Sequence, residues 1–164
     1  MITLRRILVP VDFSSYSRAA LEWALTLAQP FGARVDLLHV WATPDYTSPE
    51  MFVELPGEAR QTLAGYAEKR AEVAMNSFLA DFPNPGNVPI ETRLESGDAT
   101  STIVNVATEG FYDLVVMGTH GRTGLSHLVM GSVAEKVART APCGVLVVRA
   151  EGKAPSRDNA QPQS

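Results

Sequence analysis

The chain has one cysteine, Cys143, among 164 residues. A single thiol excludes an intramolecular disulfide and cannot by itself furnish a cysteine-rich zinc site, and such sparing use points to a reducing compartment. Long apolar runs are missing too. No stretch approaches the ~18 residues that a membrane span needs, and Met1 to Asp12 runs straight into strand-like sequence without the apolar region and small-residue cleavage site of a secretory signal. A cytoplasmic location is expected. Basic charge is scarce: 14 Lys and Arg against 18 Asp and Glu leave a net charge of -4, with no Lys/Arg cluster along the chain. No DNA or RNA partner is expected, because their phosphates demand a basic footprint.

Several chemical signatures are absent as well. His39, His120 and His127 form no i, i+4 pair and have no carboxylate set beside them, so no metal centre is expected and structural roles suit them. Cys143 has no assignable base and reads as a small apolar residue. No G-x-G-x-x-G follows the first strand-like segment, which removes the dinucleotide fingerprint. No G-x-x-x-x-G-K-[ST] occurs, so no Walker lysine can reach a β or γ phosphate, and no general base or arginine finger for phosphoryl transfer can be identified. The chain has no internal repeat.

What is present is alternation. With 45% apolar residues, residues 1–150 suit one domain with a single core, whereas 151–164 are polar, aperiodic and expected to be disordered. Ile7 to Val11 is short and apolar on both faces, as a strand buried in a parallel sheet would be. Ser14 or Ser15 caps a helix carrying Ala20, Ala24, Leu27 and Phe31 at helical spacing, which Gly32 ends. Val35 to Val40 is a second strand. Prolines 44, 49 and 56 make the 41–57 stretch, with Trp41, Tyr46 and Phe52, a long loop that serves as a lid, a partner surface or ordinary packing. A helix is expected from about Glu58 to Phe82, stopped by Pro83 to Gly86. Ile90 to Leu94 alternates like a strand near the sheet edge. Asp98 caps a helix with Ile103, Val106 and Ala107 inward, followed by a strand over Leu114 to Met117. Ser132 and Glu135 have capping-box spacing before a helix whose apolar face carries Val133, Val137 and Ala138. Pro142 ends it, and Gly144 to Val148 is the fifth strand.

Strands and helices in this rhythm predict an α/β fold: an open parallel five-stranded sheet, Rossmann-like, with helices on both faces. With strands numbered along the chain, an order of 3-2-1-4-5 would make strands 1 and 4 the switch point, where ligands bind beyond the carboxyl ends. The loops there are Val11 to Ser14 and the glycine-dense run Gly118-Thr-His-Gly121-Arg122-Thr-Gly124 to Gly131-Ser132. Glycines and first-turn amides in such a run can cradle phosphate. Asp12 either forms a turn or meets a ribose or an adenine amine. Arg122 is either a solvated charge or a phosphate contact, and Ser132 either a cap or a phosphate contact. The same order leaves Val145, Leu146, Val147 and Val148 on an unblunted edge, which predicts a homodimer through that strand.

Ile7-Leu-Val-Pro-Val-Asp12 with Ser14, the spacing Gly118-x-x-Gly121, nine residues, Gly131-Ser132, and Pro142-Cys143-Gly-Val-Leu-Val-Val148 together resemble the universal stress protein family, in its ATP-binding branch. The resemblance spans roughly residues 2–149. It implies an adenine-nucleotide-binding fold of the order given above, usually dimeric through the last strand. It also implies ATP with Mg²⁺ or Mn²⁺ held mainly through the phosphates. Carried over by position, Pro10, Val11, Asp12 and Val40 line the adenine and ribose, while Met117, Gly118, Gly121, Arg122, Gly131, Ser132 and Val133 surround ribose and phosphates. The function so implied is a nucleotide-dependent regulatory module in stress response. A slow ATP hydrolase, an AMP- or cyclic-AMP-binding module and a nucleotide-free interaction module remain alternatives.

Overall fold

A computed structural model describes residues 3–42, 48–54, 56–57, 59–80, 82–120 and 130–150. Seven strands and four helices follow one another among them as β1 (Arg6–Pro10), α1 (Ser15–Phe31), β2 (Arg34–Trp41), β3 (Phe52–Val53), β4 (Gln61–Thr62), α2 (Leu63–Ala80), β5 (Ile90–Ser96), α3 (Ala99–Glu109), β6 (Leu114–Gly118), α4 (Ser132–Thr140) and β7 (Gly144–Val148). Five strands form one sheet in the order β5-β2-β1-β6-β7, every pair parallel. Counting the main strands alone, this is the expected 3-2-1-4-5 order, the one that places the loops after strands 1 and 4 side by side. The tail, 151–164, lies outside the described residues.

The alternation of side chains along each strand divides the core in two. Ile7 and Val9 of β1, Val11 just after it, and Val35 and Leu37 of β2 face the layer that holds α1 together with Met75 and Phe78 of α2. Leu8 and Leu38 point the other way, onto Ile103, Val106 and Ala107 of α3 and Ala134 and Val137 of α4. Each such leucine or valine, fully withdrawn from water, contributes roughly 1.5–3 kcal/mol before chain entropy is counted. α1 begins where Ser14 accepts the Ser17 amide and ends at Gly32, whose φ of 62° is the left-handed turn that glycine adopts without strain. Asp98 caps α3 by accepting from the Ser101 amide.

Three expectations change. The helix expected from Glu58 starts at Leu63, because Phe52–Val53 and Gln61–Thr62 pair as an antiparallel hairpin inside what reads as loop and helix start. The amides of Leu63 and Ala64 donate to Met51 and Pro49 carbonyls, and the Thr62 hydroxyl accepts from the Gly65 amide in the manner of a cap. Trp41 belongs to β2, opposite Ser96. In α4 the buried residues are Ala134 and Val137, with Val133 partly covered; Ala138 is exposed.

Buried charge gathers at the amino-terminal end of the sheet. Asp36, side chain 1% exposed, pairs with Arg6 at 2.8 Å and Arg34 at 3.3 Å and accepts from the Tyr112 hydroxyl. Burial alone would push the Asp36 carboxyl up, but the bonds from Tyr112, Arg6 and Arg34 outweigh it and hold the carboxyl below its ordinary range. Burial and then Asp36 push the Tyr112 phenol upward. Burial likewise raises the Cys143 thiol, which packs beside the second core layer as a small apolar group. Among the described residues, no helix is long and apolar enough to cross a membrane.

Candidate functional site

At the opposite end of the sheet the central strands part. β1 pairs with β2 over all five of its residues, but with β6 only at Ile7–Leu114 and Leu8–Val115. Beyond that point a crevice of about 250 Å³ opens, a little under the ~300–1,000 Å³ usual for small-molecule pockets. Its walls are Pro10 at the end of β1, Val11 and Asp12 in the turn after it, Ser17 from α1, Leu38 and Val40 from β2, and Ala99 and Ile103 from α3. Met117 and Gly118 at the end of β6, Thr119 and His120 after it, and Gly131 to Ala134 at the start of α4 complete them. The lining is mostly apolar, with polar groups at two edges, as pockets that orient an amphipathic ligand tend to be.

The edge at β1 is built from Asp12 and the first turn of α1. The Asp12 amide donates to Ser17 Oγ at 2.9 Å, and Ser17 Oγ donates back to Asp12 Oδ1 at 2.6 Å. The Ser14 amide adds a third bond, to Asp12 Oδ1 at 3.1 Å. Between them Phe13 has φ of 66°, a left-handed conformation uncommon for a bulky residue. Its ring lies 4.4 Å from that of His39, whose Nδ1 bonds the Val11 carbonyl at 2.8 Å. His39 therefore has a structural role, tying β2 to the turn after β1. Asp12 does form a turn, and the same residue lines the crevice.

The other edge is the amino terminus of α4. Its N-cap is Gly131, in extended conformation and without a side-chain cap, and Ser132 is the first helical residue. The expected capping box of Ser132 and Glu135 is thus absent. The entry into the helix is fixed by the Gly131 amide donating to the Thr119 carbonyl at 2.7 Å, and Glu135 pairs with Arg139 at 3.0 Å instead. An α-helix leaves its first amides without intrahelical partners. Here those of Ser132, Val133 and Ala134 have none among the described residues, and all three residues border the crevice. Their donors and the helix dipole make this edge favourable to an anion.

Two glycines have a reason besides the one that spacing offers. A Cβ at Gly118 would lie 2.6 Å from Tyr16 Cβ and 3.0 Å from its backbone carbon, so Gly118 lets α1 sit against the end of β6. At Gly131 a Cβ would meet the Thr119 carbonyl oxygen at 3.0 Å. Both positions serve contacts within the chain, and the Gly131 amide is already engaged there. Free donors for a phosphate begin one residue later, at Ser132.

Of the residues expected at the site, the fold brings together Pro10, Val11, Asp12, Val40, Met117, Gly118, Gly131, Ser132 and Val133. Gly121 and Arg122 lie outside the described residues, as does His127. The sequence reading missed Ser17, Leu38, Ala99, Ile103, Thr119, His120 and Ala134. Leu38 was legible in principle, since it shares a strand face with Val40 two residues on. Ile103 reads as core and is core, yet it also floors the crevice. His120 Nδ1 lies 3.0 Å from Thr119 Oγ1, and its ring is 5.3 Å from that of Tyr16. Its buried Nε2 has no partner among the described residues. No group of three or more His, Cys, Asp or Glu able to hold a metal occurs among those residues.

The sequence pattern of the Universal stress protein family matches residues 3–149. Universal stress protein MJ0531 of Methanocaldococcus jannaschii is 33% identical over 145 residues, covering 88% of this chain and 82% of that protein. Among solved structures, universal stress protein UspA from Lactobacillus plantarum superposes with a TM-score of 0.68 at 28% identity, over 88% of this chain and 97% of the other. Hypothetical protein MJ0577 gives 0.75 at 26% identity, over 93% and 100%. Two more distant structures have the same fold: a universal stress protein in complex with cAMP, TM-score 0.57 at 22% identity, and an Arabidopsis thaliana family member with AMP bound, 0.59 at 19%.

Proposed function

We propose, from the premise that the chain belongs to the universal stress protein family, that its crevice binds an adenine nucleotide, ATP foremost, and that the protein acts as a nucleotide-dependent regulatory module in stress response. The observation that carries this reading is the pair of polar edges across an apolar floor. Three unpartnered amides of α4 stand on one side and the Asp12 carboxylate on the other. An anion suits the first edge and hydroxyl or amine donors suit the second. Pro10, Val11 and Val40 would line the base and ribose, Met117 and Gly118 the ribose, and Ser132 and Val133 the phosphates. A Mg²⁺ or Mn²⁺ ion would travel with the triphosphate and neutralise part of its charge. Gly131 adds shape rather than a donor.

AMP and cyclic AMP are the second reading of the same site, favoured by their presence in two structures of this fold. Hydrolysis is slow at best in this proposal, because phosphoryl transfer needs a positioned base and a charge clamp. The assembly proposed is a homodimer through β7, whose Val145 to Val148 form an outer strand of the sheet, in the cytoplasm.

Thermal melts with ATP and Mg²⁺, AMP, cyclic AMP, GTP and adenosine test the ligand. A ligand specific for the native state adds about 2.7 kcal/mol at a hundredfold excess over Kd, and ATP is expected to give the largest shift. Ser132→Pro removes one of the three α4 amides at a helix position that accepts proline, after a Gly131 already extended at ψ of 149°. It should melt like the parent without ligand and bind ATP roughly 10- to 100-fold more weakly, with adenosine little affected. Unchanged ATP affinity in a folded Ser132→Pro protein would remove the phosphate assignment.

A further inference from the structure

We propose that Ser17 is a positioning residue for the site: its hydroxyl fixes the orientation in which the turn after β1 presents the Asp12 carboxylate to the crevice. The identity of what Asp12 meets rests on the nucleotide reading, whereas the positioning is a property of the ligand-free protein. Ser17 is 4% exposed and sits in the first turn of α1, past the Ser14 cap. A buried hydroxyl in a helix usually returns its proton to a carbonyl one turn earlier, as Thr26 does to Glu22. Ser17 instead reaches five residues back and holds Asp12 twice, accepting from its amide and donating to its Oδ1.

The two bonds act on different torsions. Holding the amide fixes the backbone at Asp12, and holding Oδ1 selects the side-chain rotamer. The Ser14 amide shares the same oxygen, while Ser14 Oγ accepts from the Ser17 amide, so the turn closes on itself. This matters because the backbone between them is not at rest. Phe13 is left-handed at φ of 66°, and such a residue persists only where its surroundings over-determine it. Its ring is held between those of His39 and Phe78, at 4.4 and 5.7 Å. Aromatic contacts thus anchor one side of the turn and Ser17 the other. A serine hydroxyl both accepts and donates at this reach. Alanine does neither, and threonine keeps both functions.

The experiment compares Ser17→Ala and Ser17→Thr, alone and with Asp12→Ala. In ligand-free protein, amide hydrogen exchange at Asp12 and the Asp12 χ1 populations by NMR should change in Ser17→Ala and return in Ser17→Thr. Unchanged exchange and rotamer in Ser17→Ala overturn the proposal, whatever the ligand. For binding, Ser17→Ala should weaken ATP and adenosine alike by roughly five- to tenfold, one hydrogen bond's effect. In the Asp12→Ala background it should weaken them no further. Equal losses in both backgrounds would mean that Ser17 acts independently of Asp12 and would also overturn it. If the parent binds no adenine compound at all, the nucleotide reading fails while the exchange and rotamer measurements still decide the role of Ser17.

Discussion

At Asp36 a carboxylate stands in the interior of the sheet, where ionisation is opposed by burial and restored by Tyr112, Arg6 and Arg34. Its folded-state titration lies below its unfolded value of ~3.9. Its contribution to stability is therefore complete above pH ~4 and is lost as pH falls through the folded-state value. Asp36→Asn is expected to cost about 3 kcal/mol at neutral pH, the low end of the range for breaking a buried pair, because both arginines keep part of their surface in water. Urea denaturation at pH 7 and pH 3 checks both the size and its shrinkage in acid. Gly118→Ala puts a methyl 2.6 Å from Tyr16 Cβ, an atom fixed to the helix backbone. A loss of about 1–3 kcal/mol is expected from that overpacking, read as a lower urea midpoint.

Helix starts at the scale of elements separate structure from ligand binding. α1 spends the Ser14 side chain on its own first turn, and α3 does the same with Asp98, whose carboxyl is held low chiefly by the Ser101 amide. α4 has no such side chain. Ser14→Ala should therefore cost about 1 kcal/mol, the ordinary price of an N-cap. Ser132→Ala should shift stability by less than about 0.5 kcal/mol, because the hydroxyl caps nothing. Equilibrium denaturation of the two variants side by side distinguishes them. A large loss at Ser132→Ala would restore the capping box that its spacing with Glu135 predicts.

The whole molecule is an open sheet with two unlike edges. β5 alternates Glu91, Arg93 and Glu95 along one face, with Arg34–Glu91 and Arg93–Glu95 ion pairs, and charge of this kind discourages pairing with another chain. β7 is Gly-Val-Leu-Val-Val, without charge or proline. The homodimer proposed above uses that edge. Val147→Lys should halve the mass seen by sedimentation equilibrium, and because Val147 is partly buried against the second core layer, circular dichroism of the same sample separates loss of the dimer from loss of the fold. A parent protein that sediments as a monomer at high micromolar concentration would remove the dimer from the proposal.

The order of strands and helices, the caps at Ser14 and Asp98, and the meeting of Asp12 with the Gly131 region were all legible in the amino-acid order. Apolar periodicity and capping act over about four residues, and parallel α/β connectivity then limits where the strand ends can meet. The hairpin that delays α2 to Leu63 was not legible, because Phe52 and Thr62 find each other only across a turn. Nor was the true start of α4: Ser132 looks like a cap until the Gly131 amide is seen bonded to Thr119, twelve residues earlier in the chain. Gly118 and Gly131 read as glycines around ribose and phosphates, and both line the crevice, but only the tertiary structure shows that each also allows a close contact within the chain, with Tyr16 and with the Thr119 carbonyl. It likewise decides that Ser17 and His120 reach the crevice. Their hydrogen bonds are local, to Asp12, Ser14 and Thr119, but the crevice they border is closed by segments remote in sequence, and no local pattern carries the distances between those.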